Sequence, residues 1–350
     1  MKIGIAVNIS LERRTGVEEY VYNLLTNFPM LEESKKHRIL IYSPDNLKWP
    51  FKKLWTQIRL SWEMFKNPPD VLFVPAHTFP LIHPRLVITI QGLEFEKLPK
   101  MYPFFKRLFL RWMTKRNVKK ADRIIVPSQN TKDDLIEFYH ADTSKIFVIH
   151  HGVGNPLPAE AQSAKEGQAE ILNTPYLLYL GRGDQRKNIQ GLIKAFKILK
   201  QDHQIPHKLI LAGPNIGYKI YKNLKDDVIC TGYVDDNKKW SLLKNADVFI
   251  FPSFYEGFGI PVLEAQKVGT PVVAASTSSF SEILGDHRRG GASSALLVNP
   301  YRPTEIAEAI HKIIRNQNFS DELIKRGYEN VQRFSWSKCT KETLEIITNV

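Results

Sequence analysis

Short β-branched or aromatic runs alternate with helix-length amphipathic stretches along almost the whole chain, and they do so twice. In the first half the runs fall at Ile3–Val7, Arg38–Tyr42, Val71–Val74, Leu86–Ile90, Arg123–Val126 and Ile146–Ile149, with helical patterns such as Gly16–Phe28 and Thr131–Tyr139 between them. In the second half they fall at Tyr176–Leu180, Lys208–Ala212, Val228–Thr231, Val248–Phe251 and Pro271–Ala274. A strand that is followed by a helix must cross over before it can pair again, so this order dictates a mostly parallel sheet in each half. A chain of 350 residues suits two such α/β domains. The polar stretch Asn155–Gln168, rich in Pro, Ala, Ser and charge, reads as the joint. The expected domains are 1–160 and 170–334, with a helix-like tail, 335–350, crossing back onto the first. Ligands of open α/β sheets bind beyond the carboxyl ends of the strands, so two such sheets face to face would create a cleft.

Composition excludes several classes. The two cysteines, Cys230 and Cys339, are far apart and flank no His cluster, so neither a disulfide framework nor a metal-ligand spacing is present. The opening Met-Lys-Ile-Gly-Ile-Ala-Val-Asn has too short an apolar run for a secretory signal and reads as a first strand. No apolar stretch approaches the roughly 20 residues that span a bilayer. The expected location is the cytoplasm. Net charge is +13, and it is uneven: the excess is +9 over residues 1–155 and +4 over 156–350. A basic first half favours an acidic partner.

The most informative local pattern is Glu256-Gly-Phe-Gly-Ile-Pro-Val-Leu-Glu264, which follows the strand-like Asp247–Ser253. Pro261 suits the first turn of a helix through Val268. Strand, glycine loop and helix start together make an anion-binding device, in which Gly257 and Gly259 let the backbone come close and free N–H groups point at the ligand. Glu256 and Glu264 would repel a phosphate. They suit neutral hydroxyls instead, and phosphates flanked by polyols describe a nucleotide sugar. A second loop, Leu180-Gly-Arg-Gly-Asp-Gln-Arg-Lys-Asn188, leaves a strand and enters the amphipathic helix Ile189–Leu199, placing Arg182 and Lys187 where a diphosphate would sit. The turns Leu211–Pro214 and Thr231–Val234 offer the backbone at Gly213, Tyr233 and Val234 to a base. Asp235 and Asp236 resemble a metal pair, but an N-cap on the helix Asn237–Ala246 is the simpler reading.

In this order the motifs resemble the retaining glycosyltransferases of family 4, with the GT-B fold of two facing Rossmann-like domains. The matching residues include Gly181-Arg182 with Lys187-Asn188, Ala246–Ser253, Tyr255–Ala265, Gly269–Ala274 and Ser281-Glu282. In the first half they include Arg14–Tyr20, Ala121–Ser128 and His150–Val153. The resemblance implies that Arg182 and Lys187 hold the diphosphate, Glu264 the ribose and Glu256 the donor sugar. It also implies that Gly16 and the Gly257-Phe258-Gly259-Ile260 backbone approach the phosphates, with Gly181 and Leu263 completing the donor site. The implied reaction moves a hexose, of mannosyl or glucosyl type, from a nucleotide-diphosphate sugar to a glycan or lipid-linked acceptor. No metal and no further cofactor are expected. One departure stands out: Gln91 occupies a position where the family commonly has His, and an amide can bond a hydroxyl but cannot carry a proton near neutral pH. The alternative is a non-catalytic nucleotide-sugar binder in which Gln91 marks a degenerate site.

Lys97–Lys120 holds nine Lys or Arg and no acid, interleaved with aromatics, and Phe105, Leu108, Phe109 and Trp112 share one helical face. Lys48–Lys66 mixes Trp49, Trp55 and Trp62 with five basic residues. Two readings stay open: peripheral docking of the basic first domain on the inner face of an anionic membrane, or apolar faces packed on the domain with solvated charges. No nucleic-acid recognition motif is present, so no nucleic-acid partner is expected.

Overall fold

The computed structural model describes residues 1–7, 16–49, 54–76, 78–156, 174–217, 224, 226–285 and 292–350. They form two compact units, Met1–Gly152 with Phe334–Val350, and Val153–Arg333. Of the sequence expectations, Arg14 and Thr15 of the first glycine loop, Lys52 and Lys53, and 157–168 of the joint lie outside the described residues.

The first unit runs β1 (Lys2–Ala6), α1 (Gly16–Asn27), β2 (Arg38–Tyr42), α2 (Ser61–Lys66), β3 (Val71–Val74), β4 (Arg85–Thr89), α3 (Glu94–Lys97), α4 (Phe104–Lys120), β5 (Arg123–Val126), α5 (Gln129–Tyr139) and β6 (Ile146–Val148). Its sheet has the order β2-β1-β3-β4-β5-β6 and every pairing is parallel, Ile3 lying against Val71 and Val74 against Ile88. β3 reads Val-Leu-Phe-Val and is buried throughout, as a central strand covered on both faces must be.

The second unit runs β7 (Tyr176–Leu180), α6 (Ile189–Gln201), β8 (Lys208–Ala212), β9 (Val228–Gly232), α7 (Asp236–Lys244), β10 (Val248–Phe251), α8 (Ile260–Lys267), β11 (Val272–Ala275), α9 (Phe280–Leu284), β12 (Leu296–Val298), α10 (Pro303–Arg315) and α11 (Gln317–Val331). Its six strands are also all parallel, ordered β12-β11-β10-β7-β8-β9. α6 buries Ile189, Leu192, Ile193, Phe196 and Leu199, a stripe at helical spacing, and Asn188 caps it by accepting from the Gly191 N–H. Asp235 is the N-cap of α7, accepting from Lys238, rather than half of a metal pair. β12 escaped the sequence reading because it is three residues long and half-exposed at the sheet edge.

The last helix, α12 (Trp336–Thr348), belongs to the first unit, is capped by Ser335, and buries Trp336, Cys339, Thr340, Thr343, Leu344 and Ile347. Burying each of its large apolar side chains stabilises by roughly 1.5–3 kcal/mol. Gly152 makes this possible: a Cβ there would stand 2.2 Å from the Trp336 backbone nitrogen.

α4 overturns the packed reading of its aromatic face. Met113, Thr114 and Asn117 turn inward, whereas Phe105 is 80% and Trp112 is 56% exposed, with Phe104, Leu108 and Phe109 beside them. Of the tryptophans in the second basic stretch, Trp55 is buried and Trp49 packs on the core, while Trp62 is exposed. Among the described residues no helix is long and apolar enough to cross a membrane.

Candidate active site

In the second unit, three strand ends are laced together by backbone bonds. Gly181 N–H donates to Ala212 O (2.8 Å), Gly183 N–H to Pro214 O (2.9 Å) and Gly213 N–H to Gly232 O (2.8 Å). The loops approach so closely that a Cβ on Gly213 (φ +140°) would stand 1.9 Å from Gly181 O. This brings Gly181, Gly213 and the turn carrying Tyr233 and Val234 side by side, as three glycine turns far apart in sequence could not reveal. Tyr179 Oη donates to the Arg182 carbonyl (2.9 Å), so the loop is held from below while the Arg182 side chain is exposed.

The second anchor is the loop into α8. Gly259, its N-cap, sits at φ +107°, and a Cβ there would stand 2.6 Å from the Phe280 ring. Ser278 Oγ accepts from the Glu256 N–H (2.9 Å), and Ser279 Oγ donates to the carbonyls of Glu256 (3.1 Å) and Phe258 (2.8 Å). Phe258, Ile260 and Leu263 are buried around the start of α8.

The two anchors touch through charge. Lys187 Nζ donates to Glu256 Oε1 at 2.5 Å and lies 4.7 Å over the Phe251 ring. Arg186 Nη1 donates to the same oxygen at 3.3 Å, and Phe254 N–H reaches back to the Arg186 carbonyl. Lys187 and Glu256 are both buried. Desolvation alone would push the Glu256 carboxyl up, yet Lys187 and then Arg186 hold it below its usual range, so it is ionised. Desolvation pulls the Lys187 ammonium down from its usual value, and Glu256 offsets part of that. Glu264 has a different cation: Lys239 Nζ, from α7, donates to its Oε1 at 2.7 Å and lies 3.2 Å from Asp236. The two glutamates of one motif are therefore separately addressed. Sequence reasoning missed Arg186 and Lys239. Arg186 sits in the same loop as Lys187, a visible signal, whereas only the packing of α7 on α8 brings Lys239 to Glu264.

Two expected site residues lie in the first unit. Gly16 opens α1, is exposed, and has open space around its Cβ position. Gln91 follows β4, and its Oε1 accepts from His151 Nε2 at 2.8 Å. His151, the other residue missed, is buried beyond the end of β6. Among the described residues no three His, Cys, Asp or Glu side chains come together in a way that could hold a metal ion.

Two family models match the chain: one described as glycosyl transferases group 1 over residues 160–330, and one as glycosyltransferase family 4 over 13–154. The chain is 25% identical over 304 residues to the O-antigen chain mannosyltransferase B of Escherichia coli, covering 82% of this chain and 76% of that protein. It is 29% identical over 263 residues to an O-antigen chain mannosyltransferase of Salmonella typhimurium, covering 73% and 67% respectively. Among solved structures, the sucrose-phosphate synthase of Thermosynechococcus elongatus shares the fold, with a TM-score of 0.77, 20% identity, and coverage of 99% of this chain and 98% of that one.

Proposed function

This chain belongs to the family 4 glycosyltransferases, with the GT-B fold, and from that premise we propose that it is a retaining enzyme. It moves a mannosyl- or glucosyl-type hexose from a nucleotide-diphosphate sugar to a glycan or lipid-linked acceptor. The names of the mannosyltransferase relatives favour the mannosyl choice. The observation that carries the reading is the buried Lys187–Glu256 contact with Arg186, on the loop that also presents Arg182. It sets fixed cations beside an ionised carboxylate at the start of α6, where a diphosphate and a polyol would each find their partner.

In this reading Arg182 and Lys187 take the diphosphate and stabilise the charge that grows on it. Glu264 takes the ribose hydroxyls, displacing Lys239, and Glu256 meets the donor sugar. The C1–O bond to the leaving phosphate breaks as the acceptor oxygen bonds C1 on the same face, and the acceptor's proton passes to a phosphate oxygen. Catalysis then rests on positioning and charge rather than on a protein acid or base. The cations of the chain meet the phosphate charge, so turnover should persist in EDTA. The test is a thermal-shift panel of UDP-, GDP-, ADP- and dTDP-sugars on wild type and Glu264→Gln, followed by NMR of the product's anomeric centre. A shift with one nucleotide that is lost in the variant supports the assignment, and binding without turnover would favour the non-catalytic reading. An inverted product would refute retention.

We also propose that the first unit docks on the inner, cytoplasmic face of an anionic membrane. Three segments support this. The exposed aromatics of α4 are joined by Trp62 and Phe65 of α2 and by Leu81 and Ile82 in the loop before β4. Leu81 N–H donates to Ser61 Oγ (2.8 Å) and Arg116 donates to the Pro80 carbonyl (3.2 Å), so that loop is tied to both helices. Arg107 and Arg111 already pair with the buried Glu96, Lys106 lies over the Tyr102 ring and Arg116 is held by Pro80, which leaves Lys115, Lys119 and Lys120 as the α4 cations to test. Reversing those three to Glu should abolish co-sedimentation with phosphatidylglycerol vesicles at low salt. Equal sedimentation of variant and wild type, or none for either, would remove membrane docking.

A further inference from the structure

Gln91 stands two residues past β4, and its carbonyl is already in use. Because Gln91 Oε1 accepts from His151 Nε2 at 2.8 Å, the imidazole's proton is on Nε2. The ring is held from several directions. Tyr20 of α1 lies against it with centroids 4.5 Å apart, and Trp336 of α12 stacks on it at 5.8 Å. Tyr20 is itself fixed, its hydroxyl 3.0 Å from Thr89 Oγ1, and Gly152 clamps Trp336 in place. Burial, and then His150, hold the His151 imidazole down to about 3, so it stays neutral across the working range and its bond to Gln91 does not titrate.

The consequence falls on the other end of the amide. Gln91 Nε2 is buried and, among the described residues, has no hydrogen-bond partner. Leaving a buried donor unmatched costs about 1–3 kcal/mol, an expense that a site tolerates where a ligand supplies the acceptor. With its carbonyl committed, this amide can only donate. We propose that His151 is a positioning residue that makes Gln91 a donor-only contact, and that the Gln91 amide N–H group bonds a neutral hydroxyl or ring oxygen of the sugar substrate. A phosphate is the poorer match, because the neighbours are a neutral imidazole and aromatic rings rather than cations. The inference rests on the glycosyl-transfer reading. It explains how an uncharged side chain serves where the resembled family commonly has His: the histidine is still present, one layer behind.

The experiment is steady-state kinetics with the donor identified by the thermal-shift panel, on four variants. His151→Phe keeps the stacked ring and removes the donor to Gln91. Gln91→Glu keeps the acceptor and removes the substrate-facing donor. Gln91→Leu removes both, and the double variant His151→Phe/Gln91→Leu closes the cycle. Gln91→Glu and Gln91→Leu should each lose about 10- to 100-fold in kcat/KM, and His151→Phe about tenfold. The double variant should be little worse than Gln91→Leu alone, because the two residues act as one unit. Affinity for the free nucleoside diphosphate should not move, which separates the effect from general damage. A fully active Gln91→Glu would show that the amide presents its carbonyl instead, and losses that multiply in the double variant would show that His151 does not act through Gln91. Either result overturns the proposal. A wild type that turns over no donor at all would instead overturn the parent reading.

Discussion

Acidification from pH 8 to pH 5 is expected to destabilise the first unit by about 2 kcal/mol through His151 alone. In the unfolded chain this imidazole binds a proton below about 6.5, and in the folded protein, desolvated and beside His150, only below about 3. Between those values the unfolded chain holds more protons, so stability rises with pH. The contribution is complete above 6.5 and is lost as the pH falls toward 3. At pH 5 the unfolded group lies about 1.5 units inside the window, and at about 1.4 kcal/mol per unit the loss is about 2 kcal/mol. The assay is urea denaturation followed by tryptophan fluorescence. Of the six tryptophans only Trp240 is outside the first unit, so the signal reports on the unit that holds His151. Other histidines pulled down by burial, His37, His207 and His311, are the same in His151→Phe and cancel in the comparison. The variant should therefore lose about 2 kcal/mol less than wild type between pH 8 and pH 5. Parallel losses in the two proteins would refute the claim that His151 is buried neutral.

Lys187→Met and Arg182→Ala should each lower turnover on the order of 10²–10³-fold, as removal of an oxyanion donor does, and kinetics unchanged in both would sink the diphosphate assignment. Glu264→Gln should weaken nucleotide binding by about tenfold, whereas Lys239→Met, which removes the competitor for the same carboxylate, should not weaken it. Calorimetry orders the two, and the reverse order would place Lys239 rather than Glu264 on the ligand. Gly152→Ala should destabilise the first unit by about 1–3 kcal/mol, because a methyl there meets the Trp336 backbone rather than a movable side chain. An unaltered urea midpoint would mean that α12 is not clamped there.

Eleven of the twelve parallel strands among the described residues were legible because each is a short apolar run between helix-length patterns, a signal carried by neighbours in sequence. Only the three-residue β12 fell below that threshold. The candidate site was legible as far as its loops, since Gly181–Lys187 and Glu256–Glu264 each lie on one continuous piece of chain. What each charge meets was not. Lys239 and Glu264 are 25 residues apart, Lys187 and Glu256 69, and Gln91 and His151 60. The aromatic stripe of α4 shows the same division. Helical periodicity put Phe105, Leu108, Phe109 and Trp112 on one face, but two fates were open to that face. Packing decided, by burying Met113, Thr114 and Asn117 and leaving the stripe outside. Backbone periodicity and turn chemistry are local, so the sequence alone determined the elements, their order and the loops of the candidate site. Ion pairing, burial and the direction of a hydrogen bond depend on which strand ends and helix faces the folded chain brings together, and only the tertiary structure decided those.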